Sequence, residues 1–337
     1  MRGVVSAILL VAGCSGGAAP MMMMTPAAPT GGLDDGATLS APLEIPAGTT
    51  ATIPPGAKIV AAAGVTITVR GVLVVASAQK HARIGMAAPP ADPTQAWAGI
   101  VVESGGQLQA DGLDLADAAH ALYLKSGSLP STYDDGTISG AQFPFQIDAG
   151  ARLDTAHAAV AKATSTSGIS GDFHASYLDY DTTGLTGGLI TNDPSAIFDA
   201  TDSTFHADSV GGGDFITTYG AALVHLAYST VNDAHCAFHF NDVTQFELDH
   251  VSAGMRADTK PGPWVVYGAM LYGSGAGPNV ISNSNVTGSD YAFEQMGDNG
   301  PLTITNTYTT GMSSMGATWT WAPSDVATSP ILDAHPR

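Results

Sequence analysis

Positive charge is scarce in this sequence. Only 11 of its 337 residues are Lys or Arg, against 30 Asp or Glu, and the formal net charge is −19. Binding of nucleic acid depends on a basic face that displaces counterions from the phosphates. The composition offers no such face, so we predict no nucleic-acid partner. An acidic surface instead favours solubility and can attract divalent cations.

Cysteine is scarcer still, because the chain contains only Cys14 and Cys236. Residues 11–14 read Val-Ala-Gly-Cys and follow an apolar run at 4–11 that is too short to cross a bilayer. This pattern resembles the bacterial lipobox, in which cleavage precedes a cysteine that receives lipid. The resemblance implies a signal peptide at 1–13, lipidation of Cys14 and no disulfide. An ordinary secretory signal with a chance cysteine is the alternative.

A lipidated Cys14 implies attachment to a bacterial cell envelope. Acyl chains contribute about 0.8 kcal/mol per buried methylene, so two or three chains anchor stably. Ser15 follows the cysteine, and by resemblance to lipoprotein sorting in enteric bacteria the absence of Asp there indicates the outer membrane or cell surface. Residues 14–42, rich in Gly, Ala, Pro and Thr, predict a flexible lipidated tether. The folded domain is predicted at 43–337, and residues 33–45 are candidates to cover its first end.

Helix-forming periodicity is missing from residues 45–75, and short β patterns take its place. Residues 65–69, Val-Thr-Ile-Thr-Val, alternate apolar and polar side chains as a half-buried strand does. A phrase at 281–288 returns at 304–311, 23 residues further on, and is rich in Thr, Ser, Asn and Gly. These residues disfavour helix interiors, so the repeat predicts a β-solenoid. Stacked Asn283 and Asn306 are expected to bond along its axis.

Residues 97–108 and 113–124 make this prediction more specific. Trp97-Ala98-Gly99-Ile100, then a Gly-Gly turn and a strand of small residues, resembles right-handed parallel β-helix proteins of the pectate-lyase-like superfamily. The Pro-Gly-rich opening at 45–59 is similar to the first coils of bacterial surface members. The resemblance lies in the sequence pattern of the coils over most of 45–320 and includes no catalytic motif. It implies an all-β fold, a single right-handed parallel β-helix of roughly ten coils.

An apolar residue after a small or polar one marks the expected coils. It occurs at 137–138, 159–160, 177–178, 204–205, 230–231, 250–251, 285–286 and 307–308. Residues 79–95 interrupt the pattern and are predicted to form a loop, with a binding arm as the alternative. Trp319, Trp321 and the tail to Arg337 are candidates to cover the second end of the solenoid.

Five of the ten histidines lie between residues 206 and 250. Candidate ligands for a transition metal are His225, His235, His239 and His250. In a regular strand His235 and His239 share the outward face but stand about 13 Å apart, too far for one metal ion. Ligands would have to come from adjacent coils, for example His225 or His250. We therefore predict no metal, and solvated surface side chains as the simpler interpretation.

Catalytic candidates follow from the family resemblance. Polysaccharide lyases of this fold use carboxylates for calcium and an Arg or Lys as base, and its glycosidases use paired carboxylates. The matching residue types here are Arg256, Asp258, Lys260, Asp233 and Asp249. The polygalacturonase signatures and any lyase motif are missing, and Asp134-Asp135 before Gly136 indicates a turn. We predict no cofactor, with calcium as the alternative that the resemblance leaves open.

Aromatic side chains offer a second route to sugar binding. Trp264, Tyr267 and Tyr272 are the candidate binding residues, and packing of loops onto the coil is the alternative.

Three functions are compatible with this sequence. The first is a non-catalytic envelope protein that presents a lateral surface to a glycan or to another surface protein. The second is a polysaccharide lyase or glycoside hydrolase with degenerate motifs, and the third is a structural spacer or adhesin. Acidic groove residues stacked across coils would favour an enzyme. An aromatic strip would favour binding, and a featureless Thr/Ser surface a spacer.

Overall fold

The computed structural model describes residues 32–77, 79–182, 187–207, 214–254, 267–271, 275, 277–295, 300–314, 319–320 and 327–331. These residues form a parallel β-solenoid of about ten turns, which confirms the predicted all-β fold. Each turn contributes one strand to each of three parallel sheets. The described helical content is one 3-10 turn, Pro93–Gln95.

The first sheet stacks the strands that open each turn. Its members are β1 (Thr38–Leu39), β4 (Lys58–Ala61), β7 (Ala82–Gly85), β10 (Leu113–Ala116), β13 (Thr137–Ser139), β16 (Ala159–Ala161), β19 (Asp179–Asp181), β22 (Thr204–His206), β24 (Thr230–Asn232), β26 (Ser252–Gly254) and the first parts of β29 (Asn285–Gln295) and β31 (Tyr308–Ser314).

The second sheet follows a corner after the first. It contains β2 (Leu43–Ile45), β5 (Thr66–Val69), β8 (Trp97–Val102), β11 (Ala118–Leu124), β14 (Phe143–Ile147), β17 (Ser167–Ile169), β20 (Gly187–Thr191), the first parts of β23 (Asp214–Ala227) and β25 (Cys236–Asp249), β27 (Tyr267–Leu271) and the second parts of β29 and β31.

The third sheet completes each turn. It contains β3 (Thr50–Ile53), β6 (Val72–Ala76), β9 (Gln107–Asp111), β12 (Ser131–Asp134), β15 (Arg152–Ala156), β18 (Asp172–Ser176), β21 (Ile197–Thr201), the second parts of β23 and β25, β28 (Asn279–Ser282), β30 (Leu302–Thr305) and β32 (Trp319–Thr320). Strands β23 and β25 pass from the second sheet into the third without a break.

The interior is one continuous apolar column along the axis. Alternate residues point inward along most strands, and Phe145, Phe173 and Phe198 stack in the interior with ring centroids 5.2 and 5.9 Å apart. Burial of such a side chain contributes about 1.5–3 kcal/mol. A single turn cannot form this core, so neighbouring turns must stack.

The corner between the third and first sheets explains the recurring phrase of the sequence. One residue per turn adopts a left-handed conformation there, and a buried hydroxyl often follows it. The Ser203 hydroxyl donates to the Thr201 carbonyl at 2.8 Å and accepts from the Leu178 N–H of the preceding turn at 3.1 Å. Ser229 and Ser284 repeat this pattern. A Ser or Thr at this position therefore closes the corner and bonds to its neighbour.

The predicted pair at this corner is confirmed. Asn306 Nδ2 donates to Asn283 Oδ1 at 2.8 Å, and both residues have positive φ. The phrase itself is in register at Ile138, Val160, Phe205, Val231 and Val286. At 177–178, 250–251 and 307–308 the phrase lies one or two residues before the positions that pair with the phrase in neighbouring turns. Leu178 and Val251 instead occupy the buried corner site that Ser203 and Ser229 fill in other turns.

Both described ends of the solenoid carry additional contacts. Leu33 is buried and β1 pairs with β4, so the packed structure begins inside the segment that the sequence assigns to the tether. Near the other end, the Asn285 side chain exchanges two hydrogen bonds with the Ile331 backbone, at 2.7 and 3.0 Å.

In the part of the chain that the structure describes, no helix is long and apolar enough to span a membrane.

Candidate functional site

A groove of about 300 Å³ lies on the outer face of the third sheet. It crosses four consecutive strands, β12, β15, β18 and β21, and so runs parallel to the solenoid axis. With about 4.8 Å between neighbouring strands, four strands span about 14 Å. The groove is lined by Asp134, Asp154, Thr155, Ala156, His174, Ala175, Ser176, Asp199 and Thr201.

The floor consists of side chains too small to fill the groove. Ala156, Ser176 and Thr201 stand in register on adjacent strands, and Ala227 continues the column on β23. Asp134 occupies the same column one strand earlier, opposite Ala156, and closes that end of the floor with a carboxylate. The result is a channel between two rows of larger side chains.

One wall is a column of titratable side chains. Register places Asp154, His174, Asp199, His225 and Glu247 on five successive strands, two residues before the floor column. Acid and base alternate along this column, so each carboxylate has a basic neighbour. The wall is therefore polar, and its middle members His174, Asp199 and His225 are hydrogen-bonded along the axis.

Asp199 is the centre of this wall. Its Oδ1 lies 2.7 Å from His225 Nδ1 and its Oδ2 lies 3.2 Å from His174 Nδ1. The hydrogen bond to Asp199 raises the pKa of His225, although burial opposes this, and the bond from His225 lowers the pKa of Asp199. Because both histidines use Nδ1 for Asp199, the second ring nitrogen of each remains for other partners.

The carboxylates at the first end of the groove differ in their partners. Arg152 binds Asp154 with two nitrogens, at 3.0 Å from Nε and 2.8 Å from the terminal nitrogen. Burial raises the pKa of Asp134, and nearby Asp111 and Asp154 add to this effect, while a hydrogen bond from the Ala156 N–H opposes it. Asp134 thus holds its proton more tightly than an exposed carboxyl does.

The other edge of the groove is the corner column, since each corner residue directly follows a floor residue. Its members with positive φ are Asp135, His157, Tyr177, Asp202, Tyr228, His250, Asn283 and Asn306. His157 stacks on Tyr177 with ring centroids 4.6 Å apart, and Tyr228 stacks on His250 at the same separation. Tyr177 is 46% exposed. The groove therefore lies beside a row that includes exposed, stacked aromatic rings.

A second cluster lies on the outer face of the second sheet. Asp214 Oδ1 is 3.2 Å from His235 Nδ1, and Asp214 Oδ2 is 2.5 Å from His239 Nδ1. The expectation that His235 and His239 stand about 13 Å apart is therefore wrong. Strict alternation fails in this strand, where Ala237 and Phe238 are both fully buried, so both histidines reach one carboxylate. Burial acts to raise the pKa of Asp214, but hydrogen bonds from both histidines outweigh it and lower that pKa.

The structure separates the four candidate metal ligands. His225 belongs to the groove wall, and His235 and His239 bind Asp214. His250 lies at the corner, 2.9 Å from Asp249 through Nδ1. Within the described residues, no group of three or more His, Cys, Asp or Glu is arranged to hold a metal ion.

Of the catalytic candidates, only two fall in the described part of the chain. Asp233 lies at the corner between the first and second sheets, and Asp249 ends β25 at the corner between the third and first. They are therefore at different corners of the same turn. Arg256, Asp258 and Lys260 lie outside the described residues.

The binding and lipidation candidates are mostly outside the described ranges. Trp264, Tyr272 and Cys14 lie there, whereas Tyr267 opens β27 and pairs through its backbone with Cys236 and Tyr291.

Sequence reasoning missed the groove itself. Asp135 does form a turn, as predicted for the pair Asp134-Asp135, but Asp134 ends β12 and faces the groove. His174 and Asp199 were not recognised as candidates. The signal that identifies them is their spacing to the next column member, 25 and 26 residues, which is close to one turn of the solenoid.

Comparison with protein-family models, with curated proteins and with solved structures finds no match to this chain.

Proposed function

We propose that this protein is a lipid-anchored β-solenoid of the bacterial cell envelope that binds an extended glycan in the groove of the third sheet. The observation that carries the proposal is the floor of Ala156, Ser176 and Thr201, in register between a polar wall and a row of exposed aromatic rings. A linear polymer fits such a channel, because the groove is elongated and continues from strand to strand along the axis.

The chemistry of the two edges suits a saccharide. Hydroxyl groups of a sugar accept and donate hydrogen bonds, and the wall offers carboxylates and imidazoles for both roles. The exposed ring of Tyr177 offers an apolar face for the C–H face of a sugar ring. The proposed anchor is a lipid on Cys14, with the outer membrane or cell surface as the location, and membership of the pectate-lyase-like superfamily belongs to the same proposal. A protein partner from the same surface is the alternative occupant.

Blocking the floor tests this proposal. The chain from residue 15 onward would be titrated by calorimetry with neutral and acidic polysaccharides, with and without calcium. Ala156→Tyr places a large side chain in the groove, and we expect at least tenfold weaker binding, a loss of about 1.4 kcal/mol. Ala159→Tyr, on the outer face of the first sheet in the same turn, is the matched control and should bind as wild type. Equal binding by both variants would contradict a glycan site in the groove.

A second candidate function is hydrolysis of the bound glycan, and the environment of Asp134 favours it. Burial raises the pKa of Asp134, and a carboxyl that stays protonated can act as a general acid on the leaving oxygen. Asp154, on the next strand of the same groove, is the second carboxylate that such chemistry requires. Acidic residues stacked across turns are the feature that favours an enzyme, while the pairing of Asp154 with Arg152 and of Asp199 with two histidines favours binding.

Product analysis distinguishes the two functions. Release of reducing ends by wild type, lost in Asp134→Asn while glycan binding remains, would establish the hydrolase. Binding without release of reducing or unsaturated sugar would establish the non-catalytic function.

A further inference from the structure

The loop between β7 and β8 folds back onto the corner between the first and second sheets. Its 3-10 turn is capped by Asp92, whose Oδ1 accepts the Thr94 N–H at 2.8 Å. Ala96 is buried, and the indole nitrogen of Trp97 donates to the Ala116 carbonyl at 2.7 Å. The sequence predicts a loop over residues 79–95, but residues 82–85 form β7 and pair with β4 and β10, so the loop is shorter than predicted. The loop that remains is anchored at its end to the solenoid.

The loop and the corner enclose a pocket of about 170 Å³. The loop contributes apolar surface from Pro89, Pro90, Pro93 and Ala96. Three successive turns contribute Asp117, Ala118, Gly140, Gln142 and Thr164. A pocket of this size is too small for a polymer but admits a short alkyl chain with a polar head.

Asp117 is the unusual residue of this pocket. It is 8% exposed, and its left-handed backbone is held by a bond from its N–H to the Ser139 carbonyl at 2.9 Å. Its Oδ1 lies against Gly140, where an added Cβ would come within 2.8 Å. Burial raises the pKa of Asp117, and the charge of Arg83 opposes this only in part.

The Asp117 carboxylate accepts no hydrogen bond from any residue in the described ranges, nor do the side chains of Gln142 and Thr164 bond to one. Asp117 is mostly buried, and a carboxylate with few contacts to solvent and no protein partner is costly. A cationic ligand in the pocket would pair with this carboxylate.

We propose that this pocket binds a primary ammonium group carried on a short alkyl chain. An ammonium has three N–H donors, and the pocket offers three acceptors: the Asp117 carboxylate, the Gln142 amide oxygen and the Thr164 hydroxyl. The proline rings pack against the methylenes that follow the nitrogen. Calcium fits poorly, since it takes six to eight oxygen ligands. The ammonium group has two sources, a free aminoalkyl compound or the lysine side chain of a partner protein.

Calorimetric titration of the chain from residue 15 onward with n-butylammonium chloride tests the proposal, with n-butanol as the neutral isostere. We expect saturable binding of the ammonium alone, weakened at least about tenfold in Asp117→Asn, because a buried charge pair loses one partner. Asn adopts positive φ readily, so this variant keeps the corner. Asp233→Asn, with the same φ of 60° further along the same corner, is the matched control and should bind as wild type.

The stability of the Asp117→Asn variant without ligand shows whether Asp117 serves binding or has a structural role. Asp117→Asn removes a buried charge, so its urea midpoint at pH 7 should equal or exceed that of wild type, whereas a structural carboxylate would lower it. Thr164→Val provides a second variant and should weaken binding by a smaller factor. No saturable binding by wild type, or equal binding by Asp117→Asn, would overturn the proposal.

Two peptides identify the source of the ammonium group. Binding of a lysine peptide, lost when that lysine is acetylated, assigns the pocket to a protein partner. Binding of butylammonium without binding of the lysine peptide assigns it to a free amine. Because the pocket is remote from the floor column, Ala156→Tyr should leave both results unchanged, which keeps this test independent of the glycan proposal.

Discussion

Asp199 and Asp214 each bind two histidines, but the two clusters are built differently. The histidines of Asp199 come from the turns before and after it, one strand each. Those of Asp214 come from one turn: His239 lies in β25, where the strand departs from alternation, and His235 immediately precedes that strand. The Asp214 side chain is 24% exposed and that of Asp199 33% exposed. The comparison shows that a column along the axis places the Asp199 cluster in an open groove, whereas the departure from alternation at Ala237 and Phe238 gives the more buried Asp214 cluster.

The largest expected effect is on stability, and it sharpens this contrast. Asp214→Ala leaves two partly buried histidines without their acceptor, and hydrogen bonds to charged groups contribute about 1.5–3 kcal/mol each. We expect a loss of about 3 kcal/mol in the free energy of unfolding by urea. Asp199→Ala, more exposed and better screened, should lose about 1–2 kcal/mol. Asp179→Ala, exposed on the first sheet, is the control with no expected change, and equal losses at Asp199 and Asp214 would contradict the contrast.

A second prediction concerns pH. The pKa of His225 is raised from 6.5, so its bond to Asp199 stabilises the fold fully below pH 6.5 and less as the pH rises through the raised value. The pKa of Asp214 is lowered from 3.8, so its contribution is present above pH 3.8 and is lost as the pH falls through the lowered value.

Unfolding by urea at pH 5.5 and pH 8.5 measures this difference. The destabilisation by His225→Gln should be larger at pH 5.5 than at pH 8.5, and that by Asp214→Asn should become smaller when the pH is lowered from 5.5 to below 3.8. A penalty for His225→Gln that grows with pH would refute the assigned pairing.

The smallest expected effect lies within the Asp199 cluster. His225 Nδ1 is 2.7 Å from the carboxylate and His174 Nδ1 is 3.2 Å away. We expect His225→Ala to lose about 1 kcal/mol and His174→Ala about half of that, measured at pH 5.5. Equal losses would show that the two histidines are equivalent and that Asp199 sits midway between them.

The sequence predicts the scaffold well because its rules are local and repeat. Thr and Val alternation indicates strands, Pro-Gly pairs indicate turns, and the two copies of the 281–288 phrase place Asn283 against Asn306. Local signals of these kinds occur in turn after turn, so an error in one turn does not change the fold.

The groove is not predictable in the same way, because it depends on register between turns of unequal length. His174, Asp199 and His225 are separated by 25 and 26 residues, while Asn283 and Asn306 are separated by 23. A shift of one residue would place a wall residue in the core. The Asp214 cluster was missed for another reason, since a four-residue spacing gives 13 Å only in a regular strand.

The residues of the corner column can vary at the rim of the groove without any change in the apolar core. Asp, His, Tyr and Asn all occupy the left-handed position, and the hydroxyl or apolar residue that follows closes the corner whichever of them precedes it. Each turn can therefore acquire a new side chain at the rim by a single substitution, while the inward-facing half of the chain stays the same. Such a scaffold is well suited to diversification. The binding specificity of its surface can change one turn at a time while the apolar core stays the same.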